Sequence, residues 1–392
     1  MTGLADLELN ESQDPIEDLR HRIPLRPAWI EIDAGRLQRN FEIINAHTPP
    51  AVKLLSVVKD DGYSHGALTV ARAALRAGAV YLAVGLIEDG IRLREHGLDA
   101  PILVLGQRSE AGLPWCVRHR LTCAVQDAPT VQALARAAAR AGRRVPVHLK
   151  LNTGMNRYGV RWTEARPLVE RILAEPALEL EGVFSHFAMS DEADKSFARL
   201  QLERFQVVLA ELAAHGVQVR YRHLCNSGGL LDLPQAHFDL VRLGLLPLGV
   251  YPSQVCRRLP GLEPVMTVKA RLVAIQDIGP GETVGYGLRY QAPSCRRIAV
   301  LPFGYGDGFP RVRNQGCVLV HGRRAPLVGG VAMDALTVDV TDIPEARLWD
   351  EAVVQGRQEA EEISVHEIAQ LKQSVSYDVL TGWRARLPRV CI

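Results

Sequence analysis

The chain has 392 residues, 47% apolar and 23% charged, and a formal net charge of +2. That length can bury a large core and points to two domains. The near-neutral charge, with arginines scattered rather than gathered among aromatics, gives no electrostatic case for nucleic acid, and no apolar run approaches the roughly 20 residues that span a bilayer.

Residues 1 to about 26 carry Asp6, Glu8, Glu11, Asp14, Glu17 and Asp18 before the first basic residue, with few apolar groups. The composition predicts a flexible acidic tail without the hydrophobic segment of a secretory leader. Trp29-Ile30-Glu31-Ile32-Asp33 alternates like an edge strand, followed by a helix with Leu37, Phe41 and Ile44 on its apolar face. Leu54-Leu55-Ser56-Val57-Val58 reads as a buried parallel strand that ends at Lys59 and turns through Gly62 and Gly66 into a helix over 67–77. Short apolar runs then recur near 81–85, 102–105, 121–125, 147–151, 181–185, 219–224 and 239–242, each followed by helix-like sequence such as 129–141 and 196–214. Eight strands with intervening helices is the pattern of a parallel (β/α)8 barrel of the TIM type. A doubly wound open sheet gives the same local pattern, although no G-x-G-x-x-G opens a helix here.

After Tyr251 the periodicity changes. Pro252, Pro260, Gly261 and Pro264 mark a linker, and Met266, Val268, Ala270 and Leu272 then alternate with polar residues, as Leu336, Val338 and Val340 do later. The expected organisation is a barrel over 27–256, whose first strand at 27–33 joins the second domain, and a mainly β domain over 262–392 with one helix near 362–372. Seven cysteines at 116, 123, 225, 256, 295, 317 and 391, with no C-x-x-C pair, suggest reduced thiols in a cytoplasmic protein rather than a disulfide scaffold or a zinc site.

Chemistry should gather at the carboxyl ends of the barrel strands. The chain holds only six lysines, so few side chains could hold an aldehyde cofactor covalently, and Lys59 is the best placed of them. Lys150, Asn152 and Arg157 follow the fifth strand, Ser185, His186 and Asp191 the sixth, His223, Asn226 and Ser227 the seventh, and Arg242 with Gly244 the eighth. Asn226-Ser227-Gly228-Gly229 and Arg242-Leu243-Gly244-Leu245 suit an anionic guest, since small residues expose backbone N–H groups; two ordinary glycine turns would look the same. A lysine across the barrel from a phosphate cradle describes a site for pyridoxal 5'-phosphate.

Six segments, in order, resemble the alanine racemase family, fold-type III pyridoxal phosphate enzymes. They are Val58-Lys59-Asp60-Asp61-Gly62-Tyr63-Ser64-His65-Gly66, Asn152-Thr153-Gly154-Met155-Asn156-Arg157, Ser185-His186-Phe187-Ala188, Asn226-Ser227, Val284-Gly285-Tyr286-Gly287 and Gly304-Tyr305-Gly306-Asp307-Gly308-Phe309-Pro310-Arg311. The likeness runs from about Arg26 to the C-terminus. It implies two-base racemisation of alanine, with Lys59 and Tyr286 on opposite faces of the α-carbon. His186 would then bond Tyr286, and Arg242 would link His186 to the cofactor ring and meet its pyridine nitrogen. The resemblance makes Arg157 the partner of the phenolic oxygen, His223 a ring neighbour, and Tyr63, Ser227, Gly244, Leu245 and Tyr377 the phosphate ligands. Arg157, Tyr305 and Met333 would contact substrate. Tyr305, Met333 and Asp334, with Tyr286, would reach the site of a second subunit in a head-to-tail homodimer, and Lys150 would carry a carbamate that orients Arg157.

The chain departs from the family's usual patterns at Asn152, in Asp60-Asp61-Gly62, at Leu248 and in Gly329-Gly330-Val331-Ala332-Met333-Asp334-Ala335. These departures leave a racemase for serine or another amino acid open. A fold-type III decarboxylase is a further reading, although it would meet the pyridine nitrogen with a carboxylate rather than with Arg242. A non-catalytic pyridoxal phosphate carrier would lack the β domain. A metal hydrolase on His65, His186, His223 and Asp191 has no ligand spacing to support it.

Overall fold

The protein is described from a computed structural model covering residues 25–392, so the expected acidic tail lies, up to residue 24, outside the described residues. Two compact units emerge among the described residues, one of Gly35–Glu263 and one of Pro264–Ile392 with residues 25–34.

The first strand of the chain, β1 (Ala28–Ile32), belongs to the second of these units. In Gly35–Glu263 the strands are β2 (Lys53–Val57), β3 (Tyr81–Val84), β4 (Ile102–Val104), β5 (Thr122–Val125), β6 (Val145–Asn152), the two-residue β7 (Val160–Arg161), β8 (Leu178–Phe184), β9 (Tyr221–His223) and β10 (Leu240–Leu243). Apart from β7, which pairs only with β6, they form one parallel sheet in the order β10-β2-β3-β4-β5-β6-β8-β9. Asp239 N–H donates to Arg222 O at 3.0 Å and Arg242 N–H to Cys225 O at 3.0 Å, which joins β9 to β10 and brings the eight strands into a barrel. The strands are short and apolar because both faces are covered.

The helices follow their sequence signals. Asp127 accepts the Thr130 N–H at 2.8 Å, Pro129 occupies the first turn, and Val131, Leu134, Ala135 and Ala138 form the buried stripe of Ala128–Arg140. The helices Ala67–Arg76 and Ser196–Ala214 lie where the periodicity predicts them.

In the β unit the main sheet runs Arg323–Pro326, Cys317–Val320, Glu351–Gln358, Met266–Arg271, β1, Arg389–Cys391. The edge position expected for β1 is therefore corrected. β1 is antiparallel to Met266–Arg271, with Ile30 opposite Val268, and parallel to Arg389–Cys391. Alternation reports that a strand has one buried face; it carries no information on whether both backbone edges are paired. The expected helix occurs as Val365–Lys372, capped by Ser364, and a second one, Ser376–Gly382, was not anticipated because so short a segment shows little periodicity.

Candidate active site

Lys59 follows the carboxyl end of β2, just after Val58 donates its N–H to Ala83 O at 2.8 Å. The next five residues, Asp60 to Ser64, all have positive φ, between +51° and +64°. A left-handed turn costs an L-residue about 1–2 kcal/mol, and only Gly62 escapes that cost. Backbone bonds from Gly62 N–H to Val58 O (3.0 Å), Ser64 N–H to Asp60 O (3.1 Å) and Gly66 N–H to Asp61 O (2.9 Å) hold it, and Asp61 accepts the Ala67 N–H at 2.9 Å. The turn brings the Tyr63 ring back beneath Lys59, with Nζ 5.9 Å from its centroid. Tyr63 also lies against Gly244: a Cβ on that glycine would fall 2.5 Å from the phenolic oxygen.

Arg242, on β10, is buried and organises the other side of the site. Its guanidinium donates to Ser185 O (2.8 Å), Leu224 O (3.0 Å), His186 Nδ1 (3.0 Å) and His223 Nδ1 (3.1 Å). Arginine has no acceptor, so both Nδ1 atoms present lone pairs and both imidazoles carry their hydrogen on Nε2. The Phe184 ring stacks on His223 at 4.7 Å and underlies Lys150 Nζ at 4.4 Å. Gln201, buried on Ser196–Ala214, fixes the backbone around His186 by donating to its carbonyl at 2.9 Å and accepting the Ala188 N–H at 2.8 Å.

Burial lowers the pKa of Arg242 to about 10. His186 is held well below the ordinary histidine range by burial and then by Arg242, Lys150, Arg157 and Lys59. Lys150 is likewise held well below its usual value, by burial first and then by Arg242 and Arg157. Lys59 is more open to solvent, yet surrounding protein and the charge of Arg157 lower its pKa too, opposed only by Asp60. Two arginines and two lysines thus surround one neutral imidazole, and their mutual repulsion disfavours the charged form of the lysines as well. Such a pit calls for an anionic guest.

The cradle beside it fits that guest. Asn226 caps Ser227–Asp232 by accepting the Gly229 N–H at 2.9 Å, Leu246 N–H lies 3.4 Å from Ser227 Oγ, and a Cβ on Gly228 would sit 3.0 Å from Ser190 Oγ. Lys59, Tyr63, Lys150, Arg157, His186, His223, Ser227, Arg242, Gly244 and Leu245 are therefore all contributed by one unit. A flat, phosphate-bearing aldehyde suits hydroxyl and backbone donors at one end and a lysine at the other.

The other candidate residues, Tyr286, Tyr305, Met333 and Tyr377, lie in the β unit. Tyr286 is 81% exposed and Leu288 67% exposed, on a short turn between Gly285 and Arg289 in which Gly285 and Gly287 have φ of +76° and +74°. Asn314 anchors this turn, donating to Arg289 O at 3.0 Å and accepting the Gly329 N–H at 2.7 Å. Tyr305 N–H and Gly306 N–H donate to Ala332 O (3.0 Å) and Met333 O (2.8 Å), which ties Tyr305 to Met333. Arg386 holds Asp334 and reaches the buried Asp307 at 3.1 Å. Tyr377 lies on Ser376–Gly382, half-buried.

Three polar residues escaped the sequence reading. His148 lies on the same face of β6 as Lys150, two residues earlier, a spacing that could have drawn attention to it. Gln201 interrupts the buried stripe Ala198, Leu202, Phe205, and a polar residue in apolar phase is a usable signal. Glu181, which bonds His148 at 3.1 Å, had no such signal.

Two family models cover most of the chain: alanine racemase, N-terminal domain, over 32–252 and alanine racemase, C-terminal domain, over 265–391. An alanine racemase of Symbiobacterium thermophilum is 41% identical over 366 residues, spanning 93% of this chain and 97% of that one. Among solved structures, an alanine racemase of Clostridium difficile 630 aligns with a TM-score of 0.90 at 30% identity, covering 94% of this chain and 96% of its own. The alanine racemase of D-cycloserine-producing Streptomyces lavendulae gives 0.88 at 34% identity, covering 94% and 97%.

Proposed function

The chain belongs to the alanine racemase family, whose members depend on pyridoxal 5'-phosphate, and we propose that it interconverts L- and D-alanine with Lys59 and Tyr286 exchanging the α-proton on opposite faces. The observation that carries this reading is the pit of Lys59, Lys150, Arg157 and Arg242 around a neutral His186, beside the Tyr63–Gly244 cradle. When bound, the cofactor supplies a conjugated ring that delocalises the charge left at the α-carbon.

Lys59 would hold the cofactor and serve as one base; its lowered pKa places more of the amine in the neutral, proton-accepting form near neutral pH. Tyr63, Ser227, Gly244 and Leu245, with Tyr377, would bind the phosphate through hydroxyl and backbone groups. His223 would pack on the ring and Arg242 would meet its nitrogen. An arginine keeps its proton, so it donates a hydrogen bond without protonating the ring. That limits the electron withdrawal a decarboxylase would need, and favours return of the proton.

His186 carries its hydrogen on Nε2, free to donate to a phenolate oxygen, and Tyr286 would be that partner. Arg157, with Tyr305 and Met333, would orient substrate. The exposure of Tyr286 and Leu288 supports a head-to-tail homodimer in which each copy lends its tyrosine to the other. Lys150 is proposed to carry a carbamate. Seven free cysteines, and no described helix long and apolar enough to cross a membrane, are compatible with a cytoplasmic enzyme.

Incubation with L-alanine in deuterated water tests the reading. The wild type should yield D-alanine with deuterium at Cα, while Lys59→Ala and Tyr286→Phe should each lose turnover by about 10²-fold or more, the scale of a lost acid–base group. Wild-type turnover in either variant would refute its role.

A further inference from the structure

Behind Arg242 the barrel interior holds a hydrogen-bonded chain whose inner members, His148 and Glu181, the reaction scheme above does not use. Arg242 donates to His223 Nδ1 at 3.1 Å, His223 Nε2 lies 2.8 Å from His148 Nδ1, and His148 Nε2 lies 3.1 Å from Glu181 Oε2. Beyond it, Tyr81 Oη donates to the same carboxylate oxygen at 2.8 Å and is 2.5 Å from Thr122 Oγ1. Both histidines are completely buried.

The proton positions follow from the two ends. Arginine can only donate and a carboxylate can only accept. Between them, two neutral imidazoles have one arrangement that completes all three bonds: hydrogen on Nε2 of His223 and on Nε2 of His148. The opposite order would set an N–H against the guanidinium and a lone pair against the carboxylate. Burial, the leading influence on both rings, keeps them in the neutral form this requires.

The backbone is shaped to make the chain. Val147 pairs with Leu180 and His148 with Gly182, so Glu181 is an extra residue in β8 with no opposite number on β6. Such a bulge re-aims a side chain. Gly182 leaves room for the His148 ring, since a Cβ there would come within 2.8 Å of it.

We propose that Glu181 is the remote counter-ion of Arg242 and that, through the fixed tautomers of His148 and His223, it aims the guanidinium into the site. Glu181 and His148 are positioning residues, since neither stands among the groups assigned to cofactor or substrate. The catalytic consequence rests on the role given to Arg242 above; the proton order does not.

The test uses the holoenzyme with ¹⁵N-labelled histidine, resonances assigned by single His→Gln replacements, and long-range ¹H–¹⁵N correlations that report the tautomer. His148 and His223 should each show the Nε2–H form alone. Glu181→Leu should mix the tautomers of both rings and lower kcat about tenfold or more, the scale on which loss of the carboxylate partner of a metal-bound histidine acts, with KM little changed. Glu181→Gln retains an acceptor oxygen, so it should keep the Nε2–H forms and recover much of kcat. An Nδ1–H form at either ring in the wild type overturns the proposal, even if the leucine variant fails to fold. So does a folded leucine variant with unchanged spectrum and kcat. Correct tautomers alongside active Lys59→Ala or Tyr286→Phe variants would instead discredit the racemisation scheme and leave the relay standing.

Discussion

Lys150 shows how much a single residue owes to its surroundings. It stands over the Phe184 ring, and burial, Arg242 and Arg157 all disfavour its charged form. Only a neutral amine adds carbon dioxide, so the depressed pKa makes carbamate formation possible near neutral pH. The sign is fixed: as pH falls through the lowered value the amine protonates and the carbamate is lost. With ¹³C-bicarbonate near pH 8, a carbamate resonance should therefore appear in the wild type, fade on acidification and be absent from Lys150→Arg. A wild-type spectrum without that resonance would remove the carbamate. Lys59, Arg157, His186 and Arg242 were legible as a group because each lies at or beyond the carboxyl end of a barrel strand. Glu181 was not, because alternation along β8 turns it away from the interior unless the unpaired residue in the register is known.

The elements best read from sequence are those whose packing face repeats. Short apolar runs gave the eight barrel strands, and alanine-rich or amphipathic periods gave Ala67–Arg76, Ala128–Arg140 and Ser196–Ala214. The turn after Lys59 looked ordinary because Asp-Asp-Gly-Tyr-Ser fits many loops. Its five left-handed residues are held by local backbone bonds that composition does not announce, and they set Tyr63 against Gly244, far away in sequence. Gly244→Ala would place a methyl 2.5 Å from the Tyr63 oxygen, so the ring must move. The expected result is a loss of about 1–3 kcal/mol in stability, typical of overpacking, with weaker retention of pyridoxal phosphate, read by denaturant titration and equilibrium dialysis. Unchanged cofactor affinity would mean that Tyr63 does not bind the phosphate.

For the whole molecule, the barrel unit gathers the lysine, the arginines and the cradle, while the β unit carries a solvent-exposed tyrosine on a well-anchored turn. The change in periodicity after Tyr251 announced the β domain, and the single-chain sequence could not say which copy a tyrosine serves. That β1 lies inside the sheet of the β unit was equally hidden, since its partner Arg389–Cys391 is three residues long and lies at the far end of the chain. If each site takes Lys59 from one copy and Tyr286 from another, two inactive proteins should repair each other. Lys59→Ala and Tyr286→Phe dimers, dissociated, mixed equally and reassociated, would form hybrids in which one of two sites has both residues. Random pairing makes half the dimers hybrid, so the mixture should recover about a quarter of wild-type alanine racemisation. If the mixture stays as inactive as its components while hybrid dimers are shown to form, the lysine and the tyrosine do not meet across subunits.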